Sequence, residues 1–186
     1  GHTDADCETC LTYADAGARM VTHLFNAMSQ LGHRAPGLVG VALSRGDLSC
    51  GMIADGIHVH PVAMQAAFAA KQKPGDIYLV SDAMAVAGTD ETSFHLGGRK
   101  IIRRDRRLTL ADGTLAGADL DLTTAVRVCV DQVGLSVEKA LRAATVVPAG
   151  LVGLTPGLVP GVTRLEDVIR IAPDLSTASP VLSAPL

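Results

Sequence analysis

Aromatic residues are scarce in this chain of 186 residues, which has no tryptophan, two tyrosines and three phenylalanines. Because 48% of the residues are nevertheless hydrophobic, the core must be built from aliphatic side chains. No apolar run reaches the roughly 18 residues that a membrane-spanning helix needs. Positive charge is not in excess either, since the net charge is −3, whereas nucleic-acid binding requires clustered Lys and Arg. These absences argue against membrane and nucleic-acid partners.

Cysteine is also infrequent, with four residues in the whole chain. Cys7 and Cys10 form one C-x-x-C motif, but no second pair follows to complete a zinc site. Their segment reads as a helix, so packed thiols are favoured over zinc binding or redox chemistry. A disulfide framework is typical of small secreted domains and is not expected here. We therefore expect a cytoplasmic protein in a reducing compartment.

Apolar runs alternate with helical patterns along the first half of the chain, which is typical of an α/β fold with parallel strands and right-handed crossovers. Long apolar runs of this kind read as strands buried on both faces. The predicted helices are 4–19, Val39–Leu43 and Pro61–Lys71, and the predicted strands are 20–25, Leu48–Ala54 and Ile77–Val80.

The pattern changes after Gly88, where an alternating segment predicts a β excursion over about 93–110, with Gly97-Gly98 as a hairpin signal. Its basic cluster, Arg99–Arg107, is more typical of a solvated hairpin than of a polyanion-binding patch. Two helices are predicted next, followed by an irregular tail over residues 155–186 that is rich in Pro, Gly and Ser. The predicted elements are helices Leu122–Val133 and Val137–Val147, and one strand, Asp167–Ile171.

Three polar residues occupy positions where an α/β barrel keeps its chemistry, just beyond the ends of strands or at the start of the chain. His2 and His23 are candidate ligands of zinc or iron(II), because imidazole nitrogen suits both ions. Asp82 follows an apolar run and is a candidate proton acceptor and donor beside such an ion. Alternatively, each histidine is an ordinary hydrogen-bonded residue, and Asp82 caps a following helix.

A second set of residues is suited to an anion such as phosphate. The backbone N–H groups of Asn26 and Ala27, together with Arg34 and His58, would supply its hydrogen-bond donors. The alternative for Arg34 is an ordinary surface arginine.

Six motifs occur in a fixed order over residues 1–154, and together they resemble the N-acetylglucosamine-6-phosphate deacetylase family of the amidohydrolase superfamily. Thr-His-Leu-Phe-Asn-Ala-Met and the Asp-Gly-Ile-His core are the most specific of them. The motifs are Gly-His-Thr-Asp-Ala at 1–5, Thr-His-Leu-Phe-Asn-Ala-Met at 22–28, Arg-Ala-Pro-Gly-Leu-Val-Gly at 34–40, Ile-Ala-Asp-Gly-Ile-His-Val at 53–59, Leu-Val-Ser-Asp-Ala at 79–83 and Gly-Thr-Leu-Ala-Gly at 113–117.

The resemblance implies a fold, a reaction and a set of site residues. The fold would be the C-terminal half of a (β/α)8 barrel, with a remnant of a small β-sandwich domain in the tail, and the intact protein would be a homodimer. The reaction would be hydrolysis of the acetamide of N-acetylglucosamine 6-phosphate. His2 and His23 would bind one divalent metal ion, and Asp82 would move the proton. The implied substrate contacts are Asn26, Ala27, Arg34 across the dimer interface, Asp55, Gly56, Ile57, His58, Leu115, Ala116 and Gly117.

The chain departs from the family pattern in three places. A His-Pro-Glu-Gly-Pro-Phe motif with a metal-binding glutamate, and an upstream substrate-contacting histidine, are absent. Gly161–Asp167 replaces the usual tail, and Ala85–Gly88 replaces Ala-Pro-Ala-Gly. We therefore expect a truncated chain with little activity alone. Two alternatives remain: another amidohydrolase, such as a dihydroorotase or deaminase, and a non-catalytic remnant or scaffold.

Overall fold

The computed structural model describes residues 1–154 and 162–182. The expected start of the tail at Thr155, and Gly161 at the start of the departing segment, lie outside these ranges. Within them, the chain forms a parallel sheet flanked by helices, an antiparallel sheet, a helical segment and a small terminal hairpin.

The parallel sheet contains three strands, β1 (Met20–Val21), β2 (Ser49–Met52) and β3 (Ile77–Leu79), in the order β1-β2-β3. Both strand pairs are parallel, as the alternating pattern predicts. The strands are shorter than expected, and β1 ends at Val21 instead of continuing to residue 25. Beyond β1 the chain forms a turn, in which Phe25 and Ala27 adopt positive φ angles of 77° and 49° that lie outside the strand region.

Helices α1 (Cys7–Asp15), α2 (Gly37–Ser44) and α3 (Pro61–Ala70) flank this sheet. The first begins later than the predicted residue 4, because the Asp6 carboxylate accepts a hydrogen bond from the N–H of Thr9 and so caps the helix. The core between sheet and helices is aliphatic, as the composition requires. Its most buried large side chains include Leu24, Met52, Ile53, Met64 and Ile77.

The predicted β excursion is a four-stranded antiparallel meander of β4 (Ser93–Leu96), β5 (Arg99–Arg104), β6 (Arg107–Thr109) and β7 (Leu115–Ala118). Leu96 pairs with Arg99, which confirms the Gly97-Gly98 turn. The prediction ended the excursion at residue 110 and was wrong there, since β7 pairs back onto β6. A parallel bridge between Ala83 and Ala118 joins the meander to the segment that follows β3.

Three helices and a short hairpin complete the described chain. Helices α4 (Leu122–Asp131) and α5 (Val137–Ala144) begin at the predicted residues. The second predicted helix is divided into α5 and α6 (Val146–Leu151) because the backbone breaks at Thr145. The tail is not wholly irregular, since β8 (Ile169–Ile171) lies in the predicted segment and pairs with β9 (Ala178–Pro180). Leu175, in the turn between them, is buried against the main core.

Helices in the described ranges are all too short or too polar to cross a bilayer.

Candidate functional site

The candidate site residues follow the carboxyl ends of the three parallel strands. His23 lies two residues beyond β1, Asp55 three beyond β2, and Asp82 three beyond β3. Because neighbouring strands are parallel and about 4.8 Å apart, these ends share one edge of the sheet. That edge is where α/β barrels place their active sites.

His2 and His23 lie face to face at this edge. Their ring centroids are 4.9 Å apart and the ring planes differ by 25°. The main chain holds His2 from both sides: Thr22 donates its N–H to Gly1 O, and Ser29 donates its N–H to Thr3 O, both at 3.1 Å. His2 is therefore positioned by the loop after β1.

The histidine pair fits part of a metal site. Nδ1 of His23 is buried and has no hydrogen-bond partner, which is costly for a polar atom unless something binds it. The two imidazole rings, with centroids 4.9 Å apart, lie close enough together to belong to one site. Within residues 1–154 and 162–182, however, no group of three or more His, Cys, Asp or Glu side chains could hold a metal. The described residues therefore hold no complete set of the three protein ligands that are usual in catalytic zinc sites.

Asp82 occupies an exposed turn with a constrained backbone. Its φ angle is +51°, an uncommon conformation for a residue other than glycine. Its carbonyl accepts a 2.8 Å hydrogen bond from the N–H of Ala118 at the end of β7. The alternative that Asp82 caps a helix is wrong, because the next element of the described chain is strand β4. Its carboxylate therefore does not cap a helix.

Strand β7 carries Leu115, Ala116 and Gly117 to the same turn. Gly117 has a φ angle of +77°, and a Cβ atom there would lie 2.7 Å from the Met84 sulfur and 3.2 Å from the Asp82 carbonyl oxygen. Only glycine allows β7 to approach the Asp82 turn this closely. The fold thus brings two motifs, 79–83 and 113–117, into contact.

The Asp55–His58 turn is built around one carboxylate. Oδ1 of Asp55 accepts hydrogen bonds from the N–H groups of Ile57 and His58, each at 2.8 Å, and Oδ2 lies 2.6 Å from Nδ1 of His58. Burial by itself raises the pKa of Asp55, but the hydrogen bonds from the His58 ring and the two N–H groups lower that pKa below its ordinary value. The carboxylate is therefore ionised at neutral pH.

The proposed anion-binding residues are not all gathered together. The N–H of Asn26 donates to the carbonyl of His23 at 3.0 Å, so it is engaged within the loop, contrary to the expectation that it faces an anion. Ala27 is exposed. Arg34 is also exposed and lines a groove with acidic residues of the α1 region, and the Asp55–His58 turn does not line that groove.

Sequence reasoning missed two residues that hold the loop after β1. Gln30 donates from Nε2 to the carbonyls of Phe25 and Met28, at 2.6 and 2.8 Å. Ser29 donates from Oγ to the carbonyl of Ala5 at 2.7 Å and accepts from the N–H of Leu38 at 2.7 Å. Their position directly after a motif is the one signal that the sequence offers.

Sequence comparison finds relatives that are named as amino sugar 6-phosphate deacetylases. The chain is 42% identical over 149 residues to N-acetylgalactosamine-6-phosphate deacetylase of a Shewanella species, covering 80% of this chain and 38% of that protein. It is 42% identical over 127 residues to N-acetylglucosamine-6-phosphate deacetylase of Bacillus subtilis, covering 68% of this chain and 32% of that one. No family model matches the chain.

Structural comparison gives the same family. N-acetylglucosamine-6-phosphate deacetylase from Pasteurella multocida superposes with a TM-score of 0.85 at 30% identity, over 94% of this chain and 46% of that one. The Mycobacterium smegmatis enzyme in complex with N-acetyl-D-glucosamine-6-phosphate also has a TM-score of 0.85 at 30% identity, over 97% and 49%. The chain thus spans less than half the length of these relatives. By sequence and by structure, it belongs to the N-acetylglucosamine-6-phosphate deacetylase family.

Proposed function

We propose that this chain supplies the C-terminal half of the barrel of a metal-dependent deacetylase, which hydrolyses the acetamide of an amino sugar 6-phosphate. One observation carries the proposal. His23, which follows β1 and faces His2, lies at the same edge of the sheet as Asp82, which follows β3. The names of its relatives indicate the substrate class.

In this proposal, His2 and His23 hold one divalent ion, zinc or iron(II), with further ligands from outside the described residues. When bound, such an ion would make a water molecule acidic enough to react near neutral pH, because it would lower the pKa of that water to about 7. The unpartnered Nδ1 of His23 supports this role, because a ligand is the simplest partner for a buried nitrogen.

Asp82 is proposed to move the proton. Its carboxylate accepts a proton from the attacking water, whose oxygen forms a bond to the acetyl carbonyl carbon. It then returns the proton to the sugar nitrogen as the C–N bond breaks, so that acetic acid and the free amine leave, and the acid ionises to acetate. The anchoring of the Asp82 carbonyl to Ala118 fixes the turn from which this carboxylate acts.

The phosphate is proposed to bind away from the scissile amide, where it orients the reacting carbon. His58 and the Leu115–Gly117 strand are its proposed contacts within one subunit. Arg34 is exposed and lies apart from the Asp55–His58 turn, which suits a residue that reaches the phosphate of a second subunit in a homodimer.

N-acetylgalactosamine 6-phosphate is a second candidate substrate. The Shewanella relative, which is 42% identical over 80% of this chain, acts on that sugar according to its name. The two sugars differ in one hydroxyl configuration, so a comparison of kcat/KM between them decides which one the site prefers.

The proposal is tested with a chimera in which this chain replaces the matching segment of the Bacillus subtilis deacetylase. We expect acetate release from at least one of the two phosphorylated sugars and little release from unphosphorylated N-acetylglucosamine. The Asp82→Asn chimera should lose about 10²- to 10⁴-fold in kcat, the usual contribution of a general acid–base group. The 186-residue chain alone should turn over poorly, because its described residues complete no three-ligand site.

Two results would count against the proposal. A folded chimera without activity on either phosphorylated sugar would favour a non-catalytic scaffold. Equal activity on phosphorylated and unphosphorylated sugars would favour a different amidohydrolase. A His95→Ala chimera is the matched control, since His95 lies in the β4–β5 hairpin and should leave turnover unchanged.

A further inference from the structure

The Asp55 carboxylate is buried, and both of its oxygens are engaged within its own turn. Its Oδ1 atom accepts two backbone N–H groups and its Oδ2 atom meets the His58 ring. The Asp55 side chain is 2% exposed, whereas a direct substrate contact requires an accessible oxygen. The Asp55 carboxylate is therefore not placed for a direct substrate contact, whereas the Asp55–His58 turn as a whole stays a predicted contact.

The same contacts determine which nitrogen of His58 carries a proton. An ionised carboxylate only accepts hydrogen bonds, so Nδ1 of His58 must donate across the 2.6 Å contact. A neutral imidazole carries one proton, so Nε2 is then the unprotonated nitrogen. No described residue hydrogen-bonds Nε2, and the His58 side chain is 7% exposed.

The backbone of the turn supports this arrangement. Gly56 has a φ angle of +73°, which lets the chain reverse so that the amides of residues 57 and 58 both point at Oδ1. Three hydrogen bonds within four residues fix both the carboxylate and the ring that it orients. The turn is thus a preorganised holder for one imidazole.

We propose that Asp55 is a positioning residue, which keeps His58 in the tautomer with its proton on Nδ1 and leaves Nε2 as the nitrogen that contacts the substrate. This inference rests on the proposed function, because that function makes His58 a sugar-phosphate contact. Once His58 is protonated, the same carboxylate stabilises the imidazolium, whose Nε2–H forms a strong hydrogen bond to a phosphate oxygen.

The test is ¹⁵N NMR of the complete 186-residue chain with labelled histidine, recorded at a pH where His58 is neutral. Wild-type His58 should carry its proton on Nδ1. In Asp55→Asn, the amide oxygen keeps the two backbone N–H bonds, so the amide NH₂ faces the ring and donates to Nδ1. The His58 proton should therefore move to Nε2.

Asp121→Asn is the matched control, because Asp121 also accepts a backbone N–H, from Thr124 at 2.7 Å, but contacts no histidine. It should leave the His58 tautomer unchanged. Wild-type protein with the proton on Nε2 would overturn the proposal, as would a folded Asp55→Asn protein whose His58 keeps the wild-type tautomer. If Asp55→Asn does not fold, the wild-type spectrum alone decides.

Titration with inorganic phosphate, at a pH at which His58 is protonated and its Nε2 carries a hydrogen, separates this inference from the proposed function. A phosphate-dependent shift of the Nε2 signal supports both. The predicted tautomer without any phosphate response supports the positioning role of Asp55, and it counts against His58 as a phosphate contact.

Discussion

The contact between Gly117 and the Asp82 turn leads to a quantitative prediction. Gly117→Ala forces a residue with a side chain to adopt a φ angle of +77°, which costs roughly 1–2 kcal/mol. The new Cβ atom would also overlap the Met84 side chain, and overpacking of this kind costs about 1–3 kcal/mol. The total loss in the free energy of unfolding should therefore be about 2–5 kcal/mol.

Gly113→Ala is a matched control, because Gly113 has a similar φ angle of +85° but a Cβ atom there meets nothing within 4 Å. Both variants carry the same backbone strain and the same entropy change in the unfolded chain. The difference between them measures the close contacts with the Met84 side chain and the Asp82 carbonyl, and it should be about 1–3 kcal/mol.

Urea unfolding of the two variants and the wild type measures this difference as a shift in midpoint at constant slope. The double variant Gly117→Ala/Met84→Ala should recover part of the loss, since the overlapping side chain is removed. Equal destabilisation by Gly117→Ala and Gly113→Ala would refute the close packing of β7 against the Asp82 turn.

Three further predictions concern the site and the pH dependence of stability. Asp82→Asn should keep the wild-type fold, because Asn tolerates positive φ. The chimera with this substitution should keep its metal but lose acetate release. Loss of the metal would instead make Asp82 a ligand. His23→Ala should weaken zinc binding, measured by calorimetry, by roughly tenfold or more, because substitutions of residues that only hydrogen-bond a metal ligand already lower metal affinity by about 10–100-fold. Unchanged zinc affinity would show that His23 is not a ligand. The hydrogen bond from Arg45 lowers the pKa of Asp47 from 3.8 to about 2. The stability from this pair should therefore be complete above pH 4 and lost as the pH falls towards 2, and an Asp47→Asn acid-unfolding curve with the wild-type slope in that window would contradict it.

The sequence predicted the parallel sheet because its strands are apolar runs separated by helical patterns. It misjudged where β1 ends, since Leu24 and Phe25 extend the apolar run beyond the last strand residue. Leu24 is fully buried although it lies in a turn. Hydrophobicity reports burial, and burial alone does not distinguish a strand from a packed loop.

The edge position of His23 and Asp82 was predictable, because each follows a buried strand and the carboxyl ends of parallel strands lie at the same edge of the sheet. The placement of His2 was not predictable from local pattern, since it depends on hydrogen bonds from Thr22 and Ser29, which are distant in sequence. Likewise, the inward orientation of the Asp55 carboxylate depends on the backbone angles of its turn. Such details arise from tertiary contacts that no periodicity encodes.

The central claim is that His2, His23 and Asp82 serve one metal-dependent site at a single edge of the sheet. The most direct test adds Mn²⁺ to the ¹⁵N-labelled chain and measures which backbone amide signals broaden. The signals of all three residues should broaden together and recover on addition of zinc, whereas that of Gly97, at the tip of the β4–β5 hairpin, should stay sharp. Broadening at the two histidines with an unaffected Asp82 signal would contradict it.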